Sequence, residues 1–410
     1  MREMKDSGIE WIGEIPVQWN LVQTKRFFTN TKKIVGAKAD NYDRLALTLN
    51  GVIKRSKDDS EGLQPEKFEG YQILCKNELV FKLIDLENVK TSRVGLSPYT
   101  GLVSPAYIVL SNNFSDNRFF YHWFMSMYYN EVFNHLGGEG VRSALNAKDV
   151  LSLPVPDIQL DEQRHIADYL DRKCSQIDAI IARQQEVIEK LKAYKLSKIN
   201  EIVVEVEGIT AHLGYVANMK NGLNFNVVPD GKTLKFLGVG DFKDHYVLDS
   251  EEMFSDILVN DEITSEYMLQ SGDIIFVRSN GSRELVGRAV MVENVTFPLS
   301  YSGFCIRFRN LRTDILNSKY LLYFFRSPYF RKQLEKYSQG SNITNINQVL
   351  LSQISIIIPP FEVQLEAIRK VEKLLAAIDK LITGKQEIVS ALERYKKSLI
   401  YEVVTGKKEV

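Results

Sequence analysis

The chain reads as an α/β molecule made twice: two tandem globular α/β halves separated by two long helices that form an antiparallel coiled coil, with pseudo-twofold internal repetition. Three observations predict this. The stretch from Ile177, IDAIIARQQEVIEKLKAYKLSKINEIVV, returns from Ile378 as IDKLITGKQEIVSALERYKKSLIYEVVT, with about twelve of twenty-eight positions identical at one offset of 201 residues. Both copies space apolar residues alternately by four and three, at Ile177, Ile181, Ile188, Leu191 and Ile202, and at Ile378, Ile382, Val389, Leu392 and Val403. That is a coiled-coil seam, interrupted in both copies by Lys195 and Lys396, and again by Gln184 and Lys385. Finally, the same series of short β-type runs, an aromatic stretch and a proline break precedes each helix.

Taken in order, GIEWIGEIPVQWNLVQTKRFF has Trp11 and Trp19 flanking Pro16 and reads as an ordered arm into the first globular part. Leu45–Leu49, Glu78–Leu83 and Ala106–Leu110 have strand composition, and Phe119–Tyr129 is a buried aromatic helix. Leu151–Pro156 is extended, its prolines breaking it from the helix that follows. The second half repeats this with Leu234–Gly238, Gly272–Arg278, Phe304–Phe308, an aromatic helix over 320–330 and a proline break at Ile354–Pro360. Ser126 and Tyr128 match Ser327 and Tyr329 at the same offset. The expected domains are therefore 1–155, a spacer helix 156–205, a second globular domain 206–357, and a second spacer helix with its tail, 358–410. A helix of roughly 40 residues spans ~60 Å. An intervening globular domain between the end of one helix and the start of the next makes an antiparallel pair the natural arrangement.

Bulk composition narrows the function classes. At 410 residues more than one core is expected. Lys+Arg and Asp+Glu are both 52, so net charge gives no support to a nucleic-acid partner, and any such contact needs a local basic surface. Cys75, Cys174 and Cys305 are far apart, and the five histidines lack HExxH spacing, so no metal or cofactor is expected. The expectation is a cytoplasmic protein without a membrane span, since no apolar run reaches ~18 residues.

The opening DSGIEWIGEIPVQW, the frame GDIIFVRS followed by Val286-Gly287, and the blocks PVPDIQLDEQRHIADYLDRKCSQIDAII and IPPFEVQLEAIRKVEKLLAAIDKLI resemble the specificity subunits of type I restriction-modification systems, over essentially the whole chain. The resemblance implies two target recognition domains, each reading one half of a bipartite site in double-stranded DNA. It implies helices that set the gap and dock modification (methyltransferase) subunits, two of them, which in turn recruit restriction (translocase/nuclease) subunits. The chain itself would then be a non-catalytic specificity subunit. One departure stands out: the first block has Glu162-Gln163 where the second has Val363-Gln364, so a contact made by Glu162 is absent from the second half.

Two alternatives compete. An autonomous DNA amino-methyltransferase is suggested by Phe236-Leu237-Gly238-Val239-Gly240 together with Pro359-Pro360-Phe361. That site needs a polar residue before the prolines to accept the target amine's hydrogen bond, and Ile358 stands there. A coiled-coil scaffold without DNA contact is consistent with zero net charge. Pro156-Asp157 with Asp171-Arg172-Lys173 spells a nuclease-like pattern, but Asp171 falls within the amphipathic helix. No phosphate loop GxxxxGK[ST] is present.

The candidate DNA-binding residues are Lys32, Lys33, Lys54, Arg55, Lys57, Arg93 and Arg142 in the first half. In the second they are Lys220, Asn221, Asn224, Arg278, Asn280, Arg283, Arg288, Asn342 and Asn345. Arginine suits guanine O6/N7, asparagine suits adenine N6/N7, and lysine suits phosphate. Gln185, Tyr194, Gln386 and Tyr395 are the candidate partner-docking residues, because they are identical between copies yet lie off the seam.

Overall fold

Two uninterrupted helices, Leu160–Val204 and Phe361–Val404, carry the repeated seams. Neither contains proline, and the second stops at Gly406, whose φ of +73° supplies the left-handed residue that commonly ends a helix. The computed structural model describes residues 2–59, 67–86, 93–112, 114–136, 144–225, 231–260, 263–337 and 344–410. The chain divides into unit 1, Met1–Gln184 with Glu387–Val410, and unit 2, Gln185–Gln386.

Within unit 1, Ile166, Leu170 and Ile177 from early in the first helix share a core with Leu399, Ile400, Val403 and Val404 from late in the second. Within unit 2, late residues Ile199 and Val203 share a core with early residues Ala367, Ile368 and Val371. Start packs against end in each case, so the pairing is antiparallel. The lysines that break the seams now have a reason. Lys396 Nζ donates to Asp178 at 2.7 Å in unit 1, and Lys195 Nζ donates to Asp379 at 2.8 Å in unit 2. The two bridges are the same residue pair exchanged by the 201-residue offset.

In unit 1, a four-stranded sheet runs in the order Gly51–Arg55, Arg44–Thr48, Gly101–Val103, Gln72–Leu74. A three-stranded sheet runs Ile108–Leu110, Leu79–Phe81, Val94–Leu96. The helix Asn117–Tyr129 buries Phe119, Phe120, Trp123 and Phe124 completely, with Phe81 edge-on to Phe124 at 5.0 Å. Each such ring contributes on the order of 1.5–3 kcal/mol by leaving water. In unit 2 the main sheet runs Ala217–Asn221, Cys305–Asn310, Ile274–Val277, Ala289–Val292, Val247–Leu248. A second sheet runs Ser255–Val259, Lys232–Leu237, Leu299–Tyr301.

The expected aromatic helix over 320–330 is two helices, Ser318–Phe325 and Pro328–Tyr337. Pro328 has no N–H to give to the preceding turn and starts the second helix instead. Likewise the extended Leu151–Pro156 is partly helical: Ala147–Ser152 is a helix with a capping box from Asn146 and Asp149, and the strand is Pro154–Asp157.

The glutamine common to both Pro–Gln blocks fastens each long helix to its unit. Gln163 Oε1 accepts from Asp116 N–H at 3.0 Å, and its amide donates to Ile158 C=O at 2.9 Å. Gln364 Oε1 accepts from Asn317 N–H at 2.9 Å, and its amide donates to the carbonyls of Ile315 and Pro359, both at 2.8 Å. Asp116 and Asn317 are the N-caps of the aromatic helices, so one side chain ties two helix starts together.

Unit 1 carries an arm without a counterpart at the same place in unit 2. Met4–Asp6 pairs antiparallel with Glu14–Pro16, and Ile12, Ile15 and Trp19 are buried. Ile12 C=O accepts from Tyr401 Oη at 2.9 Å and Lys407 Nζ at 2.8 Å. Arg2 meets Glu162 at 2.5 Å and Glu409 at 3.5 Å.

Candidate nucleic-acid interface

In unit 2 a tight turn at Ser302–Phe304 organises the polar residues around it. Gly222 N–H donates to Cys305 C=O at 3.1 Å and Gly303 N–H donates to Leu223 C=O at 2.8 Å, which draws 220–224 against the turn. Side chains are excluded here: a Cβ on Gly222 would lie 2.2 Å from Ser302 O, and one on Gly303 would lie 2.3 Å from Asn224 Oδ1. From the other side, Arg278 N–H donates to Phe304 C=O at 2.7 Å and its guanidinium to Gly303 C=O at 3.2 Å. Ser279 bridges to Asn345, and Ile346 N–H donates to Arg278 C=O at 2.9 Å.

The fold thus brings Lys220, Asn221, Asn224, Arg278 and Asn345 to one surface, with Asn280 and Arg283 on the loop leading away from Arg278. Asn280 shapes that loop, its Oδ1 accepting from Ser282 N–H at 2.8 Å. Lys220 lies 4.2 Å over the Tyr267 ring and 2.5 Å from Glu266. Hydrogen bonding from Lys220 to that carboxylate raises the ammonium's pKa above its ordinary value. Arg288 does not join this group: it donates to Asp244 at 2.7 Å, and that hydrogen bond holds the Asp244 carboxyl below the usual range. Asn342 lies outside the described residues. Sequence reasoning missed Phe304, which is 57% exposed in the turn and whose carbonyl accepts from Arg278 N–H. Its sequence signal is the preceding Ser-Gly, a pair that marks a turn.

In unit 1, Lys54, Arg55 and Lys57 lie together at one edge of the four-stranded sheet. Lys54 Nζ is 2.7 Å from Asp43 and 5.2 Å above the Tyr99 ring. Lys57 donates to Ala39 C=O at 2.9 Å. Lys32 and Lys33 are exposed beside the opposite edge strand, where Ile73 N–H donates to Lys33 C=O at 2.8 Å. Arg93 corrects its expectation: it is 1% exposed, and its guanidinium donates to the carbonyls of Ile84 at 2.8 Å and Asp85 at 2.7 Å. It braces a loop from inside and presents nothing to a ligand. Arg142 lies outside the described residues.

On the helices, Gln185 and Gln386 are exposed, as are Tyr194 at 50% and Tyr395 at 51%. Exposed apolar residues accompany the tyrosines one heptad position from the seam. They are Ile180 and half-buried Val187 before Tyr194, and Leu381 and Ile388 before Tyr395, each seven residues apart.

The enzyme-like patterns resolve into local structure. Gly238 N–H donates to Asp241 Oδ2 at 2.7 Å in a short turn, and Pro359-Pro360 lead into the second long helix. Asp171 accepts from His122 Nε2 at 2.8 Å and Arg118 at 3.1 Å, well inside the first long helix. Among the described residues no group of three or more His, Cys, Asp or Glu is disposed to hold a metal, and no helix is long and apolar enough to cross a membrane.

Residues 230–394 match the family model for the type I restriction modification DNA specificity domain. The chain is 27% identical over 289 residues to the type I restriction enzyme StySPI specificity subunit of Salmonella potsdam, covering 66% of this chain and 60% of that protein. It is 26% identical over 288 residues to the EcoKI specificity subunit of Escherichia coli K12, again covering 66% and 60%. The alignments thus span about 60% of the length of these curated relatives. A solved chain, described in work on complex assembly and conformational transition of the type I R-M system, superimposes with a TM-score of 0.71 over 96% of this chain and 99% of its own. At 14% identity that likeness shows the fold: two α/β parts and an antiparallel pair of long helices in internal repetition.

Proposed function

For a chain of the type I specificity-subunit family, we propose the role of sequence-specific DNA-recognition subunit in a type I restriction-modification complex, without catalysis of its own. Each globular part, residues 1–155 and 206–357, reads one half of a bipartite site. The helical regions 156–205 and 358–410 set the gap between half-sites and dock two modification subunits, through which restriction subunits join. The observation that carries this reading is the convergence of Lys220, Asn221, Asn224, Arg278 and Asn345 around one glycine turn. Arginine and asparagine supply the paired donors and acceptors that distinguish base edges in the major groove, and Phe304 beside them offers a stacking face. The cations of this group are Lys220, paired with Glu266, and Arg278, so the reading is supported by its polar donors and acceptors more than by net positive charge. For docking, the supporting features are the uncovered side chains at heptad spacing within each unit, Val187 and Tyr194 in unit 2 and Ile388 and Tyr395 in unit 1.

The test replaces Arg278, Asn280 and Arg283 together with alanine and maps methylated sites of the variant assembled with its partner subunits. Recognition of one half-site changes while the other is unaltered, by a factor matching the ~1–3 kcal/mol of a lost bidentate base contact. Equal weakening at every sequence would instead assign these residues to phosphate.

A further inference from the structure

The end of the helix pair is treated differently in the two units. In unit 1 it is covered by the arm Arg2–Trp19, held by Glu162, Lys407 and Glu409. One offset of 201 residues away stand Val363, Val206 and Gly208, and all three line an open cleft of 840 Å³ in unit 2. No arm precedes this place in unit 2, because the chain runs straight from the first long helix into the strand Ile209–His212. The cleft is strongly apolar. Ile209 is 76% and Tyr215 80% exposed, and Ile315, Phe361 and Val363 add further uncovered surface. Its charged rim is nearly self-satisfied, since Arg312 pairs with Asp314 at 2.9 Å. Glu207 has no ion-pair partner among the described residues.

The repeat therefore supplies its own precedent for an occupant. On one ledge sits an amphipathic segment with Ile12, Ile15 and Trp19 turned inward and one of its two cations, Arg2, set on carboxylates. On the other, the polar clasp has been replaced by aliphatic residues, and one unpaired carboxylate remains at the rim. We propose that the unit 2 cleft seats an apolar segment of the modification subunit, carrying one basic residue for Glu207, in the place that Arg2–Trp19 takes in unit 1. The inference rests on the reading that this chain assembles with such a subunit.

The experiment uses the full chain and the purified modification subunit. Hydrogen exchange on the wild-type complex slows over Val206–Val216 and Phe361–Leu365, while Arg2–Trp19 exchanges as before. Ile209→Asp with Tyr215→Asp, at side chains already in water, leaves the thermal midpoint of the free chain unchanged and weakens assembly about tenfold or more, as loss of an anchoring contact does. Unchanged exchange in the cleft together with wild-type affinity of the variant overturns the inference and leaves the assembly reading standing. Failure of the wild-type chain to bind the modification subunit overturns both. Protection of the cleft by self-association of the chain alone, seen by sedimentation, assigns it to a second copy and also overturns the inference.

Discussion

Replacing Gln163 with alanine tests whether the glutamine of the Pro–Gln block is what fastens the first long helix to its globular part. The side chain is buried, accepts from Asp116 N–H and donates to Ile158 C=O. Alanine leaves both backbone groups without partners, at about 1–3 kcal/mol each, so a total of about 2–6 kcal/mol is expected. The neighbouring Glu162 gives a built-in contrast. Its partially exposed pair with Arg2 is worth about 0–1 kcal/mol, so Glu162→Ala should be far milder. All three tryptophans, Trp11, Trp19 and Trp123, belong to unit 1, so tryptophan fluorescence during urea unfolding follows the unit that holds Gln163. With a urea slope of about 1–3 kcal/mol per molar, the midpoint falls by about 1 M. Gln163→Glu keeps the acceptor but points a carboxylate at the Ile158 carbonyl, and destabilises at least as much. A midpoint shift below about 0.2 M, or one matched by Glu162→Ala, refutes the argument.

Other expectations follow from the same geometry. Four residues inserted after Arg183, with four more at the matching place after Gly384, lengthen both helices by ~6 Å while approximately keeping the apolar face. Methylation mapping should then show a changed gap with both half-site sequences intact, and an unchanged gap at full activity removes the ruler model. Tyr194→Asp with Tyr395→Asp, at half-exposed positions, should impair assembly with the modification subunit while leaving the thermal midpoint of the chain in place. Intact assembly by a destabilised variant would return these tyrosines to a structural role. Burial pushes the Asp171 carboxyl up, but the hydrogen bond from His122 and then Arg118 outweigh it, leaving it below its ordinary 3.8. A depressed carboxyl stabilises the fold above its unfolded pKa, and that contribution disappears as pH falls through the folded value. Asp171→Asn should therefore flatten the loss of stability below about pH 4, measured by urea midpoints across pH.

The long helices were legible because a seam of period 3.5 over nearly four heptads leaves little alternative, and the duplication doubled the signal. The aromatic helix at 119–129 was equally plain, since a run of large rings has to be buried. Its partner at 320–330 was not, because the break at Pro328 needs the serine and arginine before it to close one turn and open another. Arg93 shows the main limit on site residues. Composition cannot tell an arginine facing solvent from one that feeds three loop carbonyls, because the partners are backbone groups. Glu162 is the opposite case. Its replacement by Val363 was visible as a departure between copies, but the arm that explains it pairs residues 160 positions apart.

The reciprocal lysine–aspartate bridges bear on how such chains can be recombined. Lys195 answers to Asp379, and Lys396 to Asp178, so neither lysine relies on the aspartate of its own copy. Each half thus carries one plug and one socket, both at fixed heptad positions. A half taken from another chain keeps both bridges only if it retains those two residues in the same register of the seam, whatever its globular part reads. A slip of one heptad sets Lys396 opposite Asp171 or Gln185 and Lys195 opposite Glu372 or Gln386, so the apolar seam, and not the bridges alone, fixes the register.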